Sequence, residues 1–125
     1  MKINEVAKMF NVPSSTLRYY ENEGLFGPIN RVNGVREFTK KDLERLDFII
    51  CTKNCGMTIT EIKNFIQLYQ RGNETISSRL AILKRQLSKS EKQLRTLQQS
   101  IDHLKDKIVD VQNLSAAADK QNLRN

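Results

Sequence analysis

Two cysteines, one histidine and a short string of hydroxyl, guanidinium and phenol groups are the side chains here whose spacing invites a chemical reading. Cys51 and Cys55 are four residues apart, so a helix carrying them places both thiols on one face, roughly 5 to 6 Å apart. Two thiolates do not complete a tetrahedral metal shell. No further cysteine exists, and His103 falls at a position expected to be solvated. The expectation is therefore no metal site, and the spacing also excludes a C-x-x-C redox centre. No nucleophile–base pair, carboxylate pair or glycine-rich phosphate loop appears, so the sequence argues against an enzyme and implies no cofactor. The cysteines are then either small packed hydrophobes or a reactive thiol with a neighbour.

The second set of groups suits a phosphate backbone. In Thr16-Leu17-Arg18-Tyr19-Tyr20-Glu21, Arg18 offers a charge-assisted contact to phosphate or guanine and Tyr19 a hydroxyl to phosphate. Ser15 and Thr16 sit near a helix N-terminus, where amides face anions. The plainer alternative is an ordinary amphipathic helix with Leu17 and Tyr20 partly buried. The flanking residues weigh against it. Residues 4–10 form a short amphipathic segment with Val6, Ala7 and Phe10 at helical spacing. Asn11 tolerates the left-handed conformation of a tight turn, Pro13 fixes the backbone before Ser14, and Gly24 stops the second helix. Helix, tight turn and helix in about 20 residues make a helix-turn-helix, whose second helix enters a major groove.

The following elements extend that unit. Asn33-Gly34 between two short extended runs predicts a hairpin, because its turn needs positive φ twice. A hairpin after a helix-turn-helix is a wing, and Arg31 and Arg36 flank its tip. Thr39 with Asp42 should cap a third helix whose buried stripe is Leu43, Leu46 and Ile50, ending at Gly56. Thr58 and Glu61 form a capping box for a fourth, burying Ile62, Phe65, Ile66 and Tyr69. From Ile76 the pattern changes. Ile76, Leu80, Leu83, Leu87, Ser90, Leu94, Leu97, Ile101, Leu104, Ile108 and Val111 alternate steps of four and three, with Ser90 the one polar member. About five heptads make a coiled-coil seam roughly 50 Å long, more than a small core can cover, so a second chain is expected. The predicted organisation is mainly α: a winged helix-turn-helix domain over residues 1–70, a dimerisation coiled coil over 74–113 and a frayed polar tail over 114–125.

Bulk properties set bounds rather than decide. The net charge of +7 favours a polyanionic partner. However, residues 1–45 hold eight basic and six acidic side chains, while residues 76–125 hold ten and five, so the excess lies mostly outside the helix-turn-helix. No apolar run suits a bilayer, the polar start argues against a signal peptide, and two cysteines are too few for a secreted disulfide scaffold. The expected location is the cytoplasm, with no membrane contact.

The string from Thr16 to Glu21, the wing Asn33-Gly34-Val35-Arg36 and the stretch Asp42-Leu43-Glu44-Arg45-Leu46 together resemble the MerR family of transcription regulators, colinearly over residues 1 to about 70. The resemblance implies a homodimer joined by an antiparallel coiled coil. Such dimers bind a pseudo-palindromic promoter with a long spacer, then bend and untwist it so that RNA polymerase engages. By matched position Arg18, Tyr19, Arg36 and Lys53 carry DNA contacts, and the wing arginines sit where the family meets phosphate or the minor groove. Four positions depart from the pattern: Asn11 where Gly is common, Pro13 where Ser or Thr often caps, and Val35 and Phe38 where Tyr is common. The last two remove hydroxyl contacts from the wing.

Cys51, in Phe48-Ile49-Ile50-Cys51-Thr52-Lys53-Asn54-Cys55-Gly56, lines up with the single cysteine of the AdhR/NmlR-like subgroup, which senses reactive carbonyls and lacks both a metal loop and a large drug-binding domain. The resemblance thus implies a sensor thiol for aldehydes or quinones, with Lys53 and Lys63 expected to lower its pKa. Inert packing stays open beside it. Two other functions also remain: a regulator of this kind with a non-thiol signal, and a coiled-coil adaptor whose helix-turn-helix binds protein.

Overall fold

The computed structural model describes the backbone of residues 1–124 and the side chains of residues 1–122. Helices α1 (Ile3–Phe10) and α2 (Ser14–Asn22) lead into strands β1 (Asn30–Val32) and β2 (Val35–Glu37), followed by α3 (Lys40–Asn54), α4 (Ile59–Gln70), a single 3-10 turn (Asn73–Thr75) and α5 (Ile76–Arg124). Asn11 ends α1 in the left-handed region, φ 54°, and its side-chain amide type bears that conformation at little cost. Pro13 precedes α2 with φ −63° and supplies no side-chain cap; instead the Ser14 hydroxyl donates to the Asn4 side-chain oxygen at 3.1 Å, tying the two helices together. The turn between the strands has positive φ at both Asn33 (51°) and Gly34 (78°), the hairpin geometry the dipeptide predicts. Its register pairs Val32 with Val35 and Arg31 with Arg36. Capping boxes at Thr39/Asp42 and Thr58/Glu61 start α3 and α4.

Contacts divide the chain into two units, residues 1–86 and 87–125. The first has a closed core in which Val6, Leu17, Leu25, Leu46, Ile49 and Ile62 are fully buried and Met57 nearly so. The expected stripe on α3 is displaced. Ile49 is buried with Leu46, while Leu43 and Ile50 are only half-buried. Thr52 completes the face, its hydroxyl turned back onto the carbonyls of Phe48 (2.8 Å) and Ile49 (3.1 Å), which removes the cost of burying it. Tyr69, expected inside, is 56% exposed, because it lies at the end of α4 between the guanidinium groups of Arg79 (5.2 Å) and Arg45 (5.8 Å). The opening turns of α5 belong to this first unit: Ile82 packs against the core and the Gln86 side-chain amide donates to the Cys55 carbonyl at 2.8 Å.

The second unit is the remainder of α5. Its seam residues are open in the single chain, Leu94 at 67%, Leu104 at 62% and Val111 at 63%. His103 is exposed, as its seam-free position predicts. The helix runs unbroken through residues 114–124, where the polar composition suggests fraying; Ala116, Ala117 and Ala118 are strong helix formers and no Gly or Pro interrupts them. Asn125, the end of that expected tail, lies outside the described residues.

Candidate nucleic-acid interface

α2 has two unlike faces. Leu17 is fully buried and Tyr20 nearly so, which locks the helix to the core. Burial also raises the Tyr20 phenol pKa, with the Tyr19 phenol adding to the effect. On the other face Ser15 and Arg18 are exposed, Tyr19 is 48% exposed and Thr16 is half-buried. Arg18 and the Tyr19 hydroxyl have no hydrogen-bond or ion-pair partner among the described residues, so both are available to an external group. No acidic residue lies in the first turn of α2, and the Pro13 carbonyl takes only the amides of Thr16 (3.0 Å) and Leu17 (3.4 Å). The first amides of the helix therefore present a positive end to solvent.

The wing is attached to α2 by charge. Arg36 Nε donates to Glu21 Oε2 at 2.6 Å, both side chains being 22% exposed. The sequence places Arg36 at a phosphate; the structure engages it first with Glu21, leaving its terminal guanidinium amino groups for anything further. Arg31, across the ladder, is exposed and donates from Nη1 to the Gly34 carbonyl at 3.1 Å, stiffening the tip. At the other end of β2, Glu37 accepts from the Lys2 ammonium (2.7 Å) and the Met1 ammonium (2.8 Å). Those two hydrogen bonds, Lys2 first, hold its carboxyl down at a pKa of about 2. Lys53 stands exposed in the last turn of α3.

Glu21 is a residue of the candidate interface that sequence reasoning missed, together with Arg45, whose Nη1 donates to the Leu25 carbonyl just beyond α2 at 2.9 Å. Opposite charges at positions 21 and 36 were the available signal, but only the folded chain shows that they meet.

The cysteines differ from expectation. Cys51 is exposed, not packed as a small hydrophobe would be. Its thiol is nonetheless pushed above the ordinary value, by desolvation first, then by the Cys55 thiol and the Asp47 carboxylate. The predicted lowering by Lys53 and Lys63 is overturned: the Lys63 stem runs to Gly24, its Cε 4.0 Å from where a side chain there would begin. Cys55 is half-buried. Among the described residues no three His, Cys, Asp or Glu side chains gather as a metal site would need, and no helix is long and apolar enough to cross a membrane.

A helix pair with an exposed, positively ended second helix, and a two-stranded hairpin pinned to that helix, define a winged helix-turn-helix DNA-binding unit. Residues 1–68 match the profile of the "MerR HTH family regulatory protein" family, and residues 43–107 that of "MerR, DNA binding". The chain belongs to the MerR family and is a DNA-binding transcription regulator, not an enzyme.

Among its relatives, the HTH-type transcriptional regulator AdhR of Bacillus subtilis (strain 168) is 37% identical over 84 residues, covering 66% of this chain and 60% of AdhR, so the match spans less than two thirds of that protein. An HTH-type transcriptional regulator of Haemophilus influenzae is 34% identical over 113 residues, covering 90% of this chain and 84% of its own. The crystal structure of HiNmlR, described as a MerR family regulator lacking the sensor domain and bound to promoter DNA, superposes with a TM-score of 0.84 at 33% identity, covering 92% of each chain.

Proposed function

We propose that the protein acts in the cytoplasm as a homodimer joined by antiparallel pairing of α5, on a pseudo-palindromic promoter with a long spacer. In this reading Ser15, Thr16, Arg18, Tyr19, Arg31, Arg36 and Lys53 carry the DNA contacts. The dimer bends and untwists the spacer so that RNA polymerase engages, which makes the protein an activator. The carrying observation is the pair Arg18 and Tyr19, unpartnered and exposed on the face of α2 opposite a fully buried Leu17. The open seam of α5 supports the dimer, and the description of HiNmlR as bound to promoter DNA supports the ligand. Arg18→Ala should lower affinity for the protein's own promoter by about 1 to 3 kcal/mol, read by fluorescence anisotropy in a salt series. Equal affinity for both proteins would remove α2 from the groove.

We further propose that an electrophile such as an aldehyde or quinone adds at Cys51. Its exposure allows attack, and one turn on the Cys55 carbonyl accepts a hydrogen bond from the Gln86 side-chain amide of α5. The raised thiol pKa favours a second reading, in which the signal is not a thiol adduct at all.

A further inference from the structure

Between α3, α4 and the opening of α5 lies a cleft of about 640 Å³, lined by Lys41, Glu44, Arg45, Phe48, Phe65, Ile66, Tyr69 and Arg79. Its aromatic part is ordered: Phe48 and Phe65 stack at 4.9 Å, and Tyr69 is flanked by two guanidinium groups. Three cations border it, and among the described residues none of them has a carboxylate within ion-pair distance, although Glu44 shares the rim. Two of the three are fixed in place. Arg45 donates to the Leu25 carbonyl at 2.9 Å, and Arg79 donates from Nε to the Thr75 hydroxyl at 3.0 Å. Partly desolvated, pre-positioned guanidinium groups beside flat apolar surface recognise a planar anion with an apolar body. The volume is in the range of small-molecule sites.

From this we propose that the cleft binds a small organic anion, an aromatic carboxylate in class, with the carboxylate on Lys41 and Arg79 and the ring over Phe48 and Phe65. The site also has a route to α2. Arg45 holds the backbone just after that helix and lines the same cleft, so an anion seated beside it draws on its positive charge and weakens its hold on the Leu25 carbonyl. The ligand thereby biases how α2 is held. The binding claim stands on the cleft alone; the regulatory consequence rests on the DNA-binding reading above.

The test uses the full-length chain and two probes, naphthoate and uncharged naphthalenemethanol, titrated by calorimetry. Wild type should bind naphthoate about tenfold more tightly than the alcohol, the discrimination of one good charge-assisted contact. Lys41→Gln, which removes no hydrogen bond or ion pair among the described residues, should weaken naphthoate about threefold, the scale of an exposed charge, and leave the alcohol unchanged. Arg79→Gln should weaken it further, with circular dichroism confirming that the helices persist. Equal binding of acid and alcohol, or naphthoate binding untouched by both substitutions, overturns the proposal. So does a wild-type protein that binds neither probe while a monomeric Leu94→Lys, Leu97→Lys variant binds naphthoate, since a second copy would then occupy the cleft. In a separate arm, saturating naphthoate should change promoter affinity severalfold in wild type, and Lys41→Gln should need about threefold more naphthoate for the same change. Failure of promoter binding itself would count against the DNA reading and leave the calorimetry to decide the cleft.

Discussion

Glu21→Gln should make the protein less stable and its DNA binding more salt-dependent. The carboxylate of Glu21 holds Arg36 at 2.6 Å, with each side chain 22% exposed. Full Coulomb attraction at an intermediate dielectric would be about 4 kcal/mol at 4 Å between charge centres, but desolvation and side-chain ordering offset most of it. Charge-assisted hydrogen bonds contribute about 1.5 to 3 kcal/mol net, and fully exposed pairs about 0 to 1. A pair mostly shielded but not buried belongs between these, at about 1 to 2 kcal/mol. For a unit of this size each kcal/mol lowers the melting temperature by roughly 4 to 8 °C, measured at fixed protomer concentration. Glutamine keeps the shape and can still accept a weaker bond, so the loss falls toward the lower end. On DNA the sign reverses. Removing the carboxylate frees Arg36 for phosphate, which should steepen the dependence of log affinity on log salt by about one unit. Arg36→Gln should lose the same stability without that steepening, and the double variant should show the coupling. An unchanged melting temperature for Glu21→Gln, with an unchanged salt slope, would refute the view that this pair positions the wing.

Three further outcomes are expected. Leu94→Lys with Leu97→Lys should give monomers in light scattering that no longer bind promoter DNA, while the spectrum of residues 1–86 stays folded; a monomeric wild type would remove the dimer from the proposal. Glu37 has a folded pKa of about 2 against an ordinary value of 4.5, so its bonds to Lys2 and Met1 stabilise above 4.5 and are lost as pH falls toward 2. Glu37→Gln should flatten that part of the acid-unfolding curve, and an identical curve would contradict the assignment. Alkylation of Cys51 should accelerate up to a pH above the ordinary thiol midpoint, and Cys55→Ser should move the midpoint down because the neighbouring thiol raises it; a midpoint already below neutrality in wild type would reverse this.

What was legible in the sequence was whatever local chemistry specifies. Asn33-Gly34 can form one kind of hairpin, and Thr58 with Glu61 one kind of helix start, so both appear where expected. The three-four spacing from Ile76 to Val111 required a long helix, and α5 supplies it. Rotation about a helix axis was less legible. Ile49 and Ile50 are adjacent and chemically alike, and only packing against the other helices selects Ile49 for the core. Tyr69 fits the α4 stripe by spacing, yet a partner three-dimensionally near but distant in sequence, Arg79 of α5, captures its ring from outside. Pairings such as Glu21–Arg36 and Arg45–Leu25 join residues at least 15 apart, for which no short-range pattern exists. Cys51 was misjudged for a different reason. Counting neighbouring lysines along the chain suggested a lowered pKa, whereas what acts on the thiol is desolvation first, then Cys55 and Asp47 one turn to either side.

The open seam of α5 has a consequence for gene expression. The core of residues 1–86 closes within one chain, while Leu94, Leu104 and Val111 are left uncovered. In the homodimer proposed above, a folded protomer therefore accumulates before it finds its twin. On that proposal assembly is governed by mass action, and below the dissociation constant the number of paired heads grows as the square of the protomer concentration. Promoter occupancy inherits that second-power dependence. A modest rise in synthesis is amplified at the operator, and a modest fall silences it, so cellular copy number acts as an input alongside any chemical signal.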